Sequence, residues 1–256
     1  MTEQEWRVCT DPARMLQELR GKVTERKLRL FGVACCRRIW HLLPDERSRH
    51  AVEVAEALAD GLASDAEAVA AANAAAEVAA DDTRGVQEGV AWRAARAADH
   101  LLPLSEEAWQ LDSVWEYAAT AMEGEQLVKS GATPDVLDAW SEQSVESGRP
   151  MGWTAIDHEA ILADVLREVV GSAPFRRVLI DPVILLWNDR TLTRIAEGIH
   201  AERKLPQGTL DNARLAILAD ALLDAGCDND DLIQHCREPG PHVRGCWALD
   251  LALNKE

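Results

Sequence analysis

The sequence predicts an all-α fold, a multi-helix bundle of about ten helices in two subregions. Three observations carry that prediction. Apolar residues recur three and four positions apart through most of the chain, the spacing that puts them on one face of a helix. Helix starts are signalled repeatedly, by Asp11-Pro12, Thr24, Ser64 with Glu67 three residues on, and Asp157. The one strand-like run, Arg177 to Ile180, is too short to found a sheet, and neither β-α alternation nor a fixed-period repeat is visible. The division between subregions is placed near residue 150, giving an N-terminal helical region, 1–150, and a C-terminal one, 151–256.

The elements follow in order. A short acidic helix carries Trp6, and Asp11-Pro12 opens a second one, with aspartate as cap and proline at the first helical position. Thr24 caps a helix expected to run from Glu25 to Leu43. Its two apolar stripes, one through Leu28, Phe31, Cys35 and Ile39, the other through Leu30, Val33, Cys36 and Trp40, mark it as the central helix. Pro44-Asp45 restarts the chain into a helix that ends at Asp60-Gly61. The capping box Ser64–Glu67 starts an alanine-dominated helix, whose small side chains allow close packing but supply little burial.

A helix is expected from about Thr83 to Leu102, stopped by Pro103, and another opened by Ser105 and carrying Trp109 and Trp115. Thr133-Pro134-Asp135 is a further helix start, and the polar stretch Ser141 to Gly152 reads as a linker or loop. Asp157 to Val170 is amphipathic, burying Ile161, Leu162, Val165, Leu166 and Val169, with Gly171 as its stop. Asn188 or Asp189 caps a helix from Arg190 to Glu202. The last forty or so residues hold a helix ending at Gly226, a second capped by Asp228, the breaker Pro239-Gly240-Pro241, and a final helix burying Val243, Trp247, Leu249 and Leu251.

Charge and composition bound the function. A formal net charge of −17 argues against a nucleic-acid partner and against an anionic membrane surface. No apolar run approaches the roughly eighteen residues of a membrane span, no signal peptide is visible, and the six cysteines are not spaced as a secreted disulfide framework, so a cytoplasmic location is expected. The N-terminal fifth is locally basic, through Arg20, Lys22, Arg26, Lys27, Arg29, Arg37 and Arg38. Those residues spread around more than one helix face, which favours a solvated surface over a phosphate-binding patch. The nine tryptophans are read as core anchors, with some available as hot spots for a protein partner.

Phosphate-loop, dinucleotide, zincin, nucleophile-elbow and C-x-x-C motifs are all absent. Glu197-x-x-His200 is a single copy of a spacing that di-iron bundles need twice. It is read, like Glu46/His50 and Glu238/His242, as a lone surface histidine. Cys35, Cys36 and His41 are read as structural. In the C-terminal tract Cys227, Cys236, His242 and Cys246, with His235 as a spare, are the candidate zinc ligands. Their separations, with eight, five and three intervening residues, lack the paired knuckle of strong zinc signatures. Buried free cysteines filling space are therefore the preferred reading.

The run DALLDAGC…LIQHCREPGPHVRGCWALDLALNKE, with Phe175 to Asp189 upstream and the opening TEQEW…CTDPARMLQELRGK…CCRRIWHLL, resembles a large paralogous family of uncharacterised bacterial proteins. The resemblance covers both ends of the chain and implies a bacterial cytosolic origin. It brings no catalytic residue. Sequence alone thus favours a non-enzymatic helical interaction or regulatory module with a protein partner and no cofactor. The alternative is a zinc-binding protein or metal-dependent hydrolase built on the C-terminal Cys/His tract.

Overall fold

The computed structural model describes residues 1–80, 86–102, 111–147, 150, 152, 154–172 and 174–255. These form thirteen α-helices. They run α1 (Glu3–Val8), α2 (Pro12–Leu19), α3 (Glu25–Arg38), α4 (Glu46–Ala59), α5 (Asp65–Ala79), α6 (Val86–Asp99), α7 (Leu111–Lys129), α8 (Pro134–Ser147), α9 (His158–Val170), α10 (Pro182–Ala201), α11 (Asn212–Asp224), α12 (Asp230–Arg237) and α13 (Trp247–Ala252). The all-α expectation holds. Among the described residues there is no strand, only the isolated bridges Lys204–Thr209 and Thr209–Val243, and no helix is long and apolar enough to cross a membrane. The expected starts at Thr83 and Ser105, the stop at Pro103 and the anchor Trp109 lie outside the described residues.

Most caps sit where the sequence puts them. Asp11, Thr24 and Asp157 each accept a backbone N–H of the first turn, and Ser64 and Glu67 form a complete capping box. Gly226 takes the left-handed conformation (φ 86°) after α11, and the Cys227 N–H donates back to the Leu222 carbonyl.

Four boundaries differ, each for a local reason. First, α3 stops at Arg38 and passes into a short 3-10 turn, Trp40–Leu42. Leu43 precedes Pro44, whose ring drives it to an extended backbone (φ −92°, ψ 94°), so the helix cannot continue to Leu43. Second, α8 runs on to Ser147, through the first half of the stretch read as a loop. Its serines have a buried use, since Arg93 donates to the Ser141 carbonyl and to Ser144 Oγ while its guanidinium lies 4.4 Å from the Trp140 ring centroid.

Third, the strand-like run has no ladder partner. Asp181 caps a helix starting at Pro182 instead. That helix is interrupted at Trp187–Arg190, where Asn188, Asp189 and Arg190 all take positive φ, before it continues to Ala201. Fourth, Asn229, not Asp228, caps α12, its Oδ1 accepting the Leu232 N–H at 3.0 Å.

As expected, α3 is central, packing on α4, α6, α7 and α9. Leu30, Phe31, Cys35 and Cys36 are fully buried, and burial raises the pKa of the Cys36 thiol to about 12, so both cysteines are inert filler. Among the described residues the three most buried tryptophans, Trp6, Trp115 and Trp140, are anchors in this core. Two apolar clusters emerge. The first spans α1 to α9 and takes in Val243 from the segment before α13, and the second joins α10 to α13. The handover falls between Val170 and Leu192, so α9 packs with the N-terminal helices rather than with the chain that follows it.

Candidate metal centre and the charged seam

The two clusters meet along α13, and two groups of polar side chains gather around its first turn, one at Cys246 and one at Asp250. At its N-terminus Cys246 is the capping residue and is fully buried. His235 comes from the last turn of α12, where Leu232, Ile233 and Cys236 bury the opposite face. His242 follows the Pro239-Gly240-Pro241 break, which turns the chain back against α9. Glu168 projects from α9. It lies at helical spacing from Ile161 and Val165, on a stripe otherwise given to the core.

These four side chains converge. One ligand atom from each lies within 4.8 Å of all the others, the one such group of His, Cys and carboxylate donors among the described residues. His242 Nδ1 is 3.0 Å from Glu168 Oε1, and His235 Nε2 is 3.3 Å from Glu168 Oε2 and 3.2 Å from Cys246 Sγ. Four ligands around one zinc at ordinary bond lengths sit about 3.3–3.8 Å apart. The side chains of His242 and Glu168 are 1% and 10% exposed, and that of His235 14%, so the group is nearly closed to solvent.

Donor and acceptor roles sharpen the picture. His242 Nε2 lies 3.0 Å from the Glu238 carbonyl oxygen, which can only accept, so Nε2 carries a proton. Nδ1 then faces a carboxylate, and two lone pairs cannot share that contact without a cation between them. Either a second proton or a metal ion serves. A ligating histidine commonly fixes its ring by donating its other N–H to a carbonyl, as His242 does here. In the metal-free cluster, burial works to raise the Glu168 pKa, but hydrogen bonds from His235 and His242 prevail and hold it at about 2. Burial would lower the pKa of His242, and Glu168 overrides it upward. Burial drives the Cys246 thiol well up and the Glu168 charge adds to that; a bound cation would reverse both effects.

Of the four ligands expected from the sequence, the structure brings only His242 and Cys246 into this group. Cys227 and Cys236 are buried among the apolar side chains of the second cluster, and burial pushes the Cys236 thiol up to about 12. His235, the spare, is a full member. Glu168 was missed, although a carboxylate on an apolar stripe was its visible signal. His242 and His200 are also not lone surface histidines: the first is buried here, and the second reaches Asp60 at 3.3 Å while Glu197 faces solvent.

Beside the Glu168 group, one turn along α13 from Cys246, lies an ion network that sequence reading did not find. Asp60, at the C-terminus of α4, and Asp250 of α13 are each 2% exposed in their side chains. Arg26 bridges them, with Nη2 2.8 Å from Asp60 and Nη1 2.7 Å from Asp250. Lys27 reaches Asp250 at 2.6 Å, and Arg244 and His200 also bind Asp60. Burial opposes ionisation of Asp60, yet His200, Arg244 and Arg26 hold its pKa far below the usual carboxylate range. Nearby, Glu56 accepts from Arg37 and Arg203. All six cysteines are free thiols. Comparison with protein-family models, curated proteins and solved structures gives no match.

Proposed function

We propose that this protein binds one zinc ion through Glu168, His235, His242 and Cys246, and that the ion is structural, fastening α12 and α13 to α9. The observation that carries this reading is the convergence of four ligand atoms within 4.8 Å around a histidine whose second nitrogen is committed to a carbonyl. Borderline-soft N, S and O donors in a set of four suit zinc better than magnesium or calcium, which take oxygen. Four protein ligands and near-complete burial leave no open coordination position for water, which favours a structural ion over a metal-dependent hydrolase.

The wider role is a non-enzymatic interaction module with a protein partner. The exposed Leu179, Val183 and Leu186, gathered at the start of α10, support that role as a contact surface. Metal analysis of the purified chain is the test. About one zinc per chain is expected. Cys246→Ser and His242→Ala should lose it, whereas Cys227→Ser, outside the group, should keep it. Zinc returned to chelated protein at a hundred times its Kd should stabilise the fold by about 2.7 kcal/mol. Absence of stoichiometric metal, together with a Tm indifferent to chelator and to added zinc, would sink the reading.

A further inference from the structure

A cavity of about 450 Å³ opens between the loop before α3, the end of α9 and α13. Its volume is that of a small-molecule site. Five cations line it, Lys22, Lys27, Arg176, Arg177 and Lys255, with the hydroxyls of Thr24 and Ser172, and no carboxylate is among the lining residues. In a chain of net charge −17 that is the reverse of the average surface.

The carboxylates that pair with these cations stand outside the lining: Glu18 takes Lys22, Glu3 and Asp231 take Arg176, and those that hold Lys27 and Lys255 are shared with other cations. Asp250 serves both Lys27 and Arg26, and Asp60 serves Lys255, Arg26, Arg244 and His200. Lys27 donates to Asp250 and to the Gly245 carbonyl at 2.8 Å, which occupies two of its three N–H groups. The rest of the wall includes the apolar side chains of Val23, Val170 and Leu251 and the half-buried ring of Trp247.

We infer that this cavity binds a small phosphate-bearing molecule with a planar or apolar body, the phosphate among the lysines and arginines and the body along Trp247. Lysine and arginine clusters recognise phosphate through charge-assisted hydrogen bonds, and an indole face favours a flat ring. None of the four proposed zinc ligands lines the cavity, although Trp247 follows Cys246 and its ring centroid lies 5.0 Å from that of His235, so the binding is measured with and without zinc.

Titration calorimetry with inorganic phosphate and with AMP, on the full chain in chelator and again in zinc, tests it. AMP should bind one to one and roughly tenfold or more tighter than phosphate, about 1.4 kcal/mol, because only AMP reaches the apolar wall. The double variant Lys22→Gln/Arg177→Gln changes two exposed side chains. It should weaken AMP by at least about tenfold, with Tm lowered by no more than the loss of exposed pairs such as Lys22–Glu18 costs. Trp247→Phe should weaken AMP but not phosphate. Binding of neither probe at millimolar concentration would overturn the inference. So would affinity unaltered in the double variant, or equal affinity for the two probes.

Discussion

The two halves of this molecule are held together by different means. From α2 to α9 the chain buries a broad apolar core around α3, with Trp115, Trp140, Phe31 and the alanines of α4 to α7 in close contact. From α10 to α13 the core is smaller, and the region ends in short helices, eight residues in α12 and six in α13. A unit of roughly 70 residues seldom draws more than about 3–5 kcal/mol from apolar burial alone. The second region compensates with polar fastenings to the first, the Glu168 cluster at Cys246 and the Asp60–Asp250 network one turn further along α13. Burial stabilises one half, and directional contacts to a neighbour fix the other. A substitution should therefore act differently according to the half it strikes.

The largest effect is expected at Asp60. Removing it as Asp60→Ala takes from Arg26, Arg244 and His200 the carboxylate they share, leaving Arg26 only Asp250 and Arg244 only the longer contact to Glu56, and breaking a buried charged network costs about 3–5 kcal/mol. Urea denaturation should show that loss. Amide exchange should accelerate in α11 to α13 well before it does in α3 and α7, because the apolar core does not depend on Asp60. Uniform acceleration across both halves would mean that they unfold as one unit and that the contrast between them is only geometric.

The contrast also explains what the sequence disclosed. Apolar spacing and caps are local signals, so the helices, the central place of α3 and the stops at Gly171 and Gly226 were legible. The restart after Trp187–Arg190 falls at the expected start, but the helical stretch from Pro182 before it was not legible, because the run Arg177 to Ile180 reads as a strand and drew attention from Asp181-Pro182. Long-range polar pairing was hidden for a different reason. Glu168 meets His242 across 74 residues, and Arg26 meets Asp250 across 224, and no spacing rule reaches that far. Each left one local trace, a carboxylate on an apolar helix face: Glu168 beside Val165 and Val169, Asp250 between Leu249 and Leu251. The metal ligands were half legible, since the Cys/His tract drew attention to His242 and Cys246 but chain proximity favoured Cys227 and Cys236.

A smaller effect should distinguish the apolar half. Gly124 in α7 faces the Trp140 ring, and a β-carbon built on it would lie 2.3 Å from Trp140 Cη2 and 2.8 Å from Val90 Cγ2. Gly124→Ala gains about 1 kcal/mol of helix propensity. Against that, Trp140 cannot move freely, being fully buried, bonded through Nε1 to Glu123 at 3.1 Å and covered by Arg93. Overpacking of this kind costs about 1–3 kcal/mol, so net destabilisation is expected. It should appear as a lower Tm with zinc content unchanged, because α7 does not touch the metal cluster.

The smallest effect concerns pH, and it separates the two ways of satisfying His242. Without metal, the Glu168–His242 pair is an ion pair. A histidine whose folded pKa is raised contributes stability that is complete below its unfolded value, near 6.5, and is lost as pH rises through the folded one. Glu168, held at about 2, contributes above its unfolded value near 4.5 and loses that contribution as pH falls toward 2. The chelated protein should therefore be best served by this pair between about pH 4.5 and 6.5, and should weaken slightly toward pH 8. Zinc reverses the sign, because it displaces the proton between His242 and Glu168 and that of the Cys246 thiol, so its stabilisation grows over the same interval. Urea midpoints at pH 5.5, 6.5 and 7.5, with zinc and with chelator, should diverge as pH rises. Parallel midpoints would identify the buried imidazolium, and not a metal ion, as the cation that Glu168 was placed to receive.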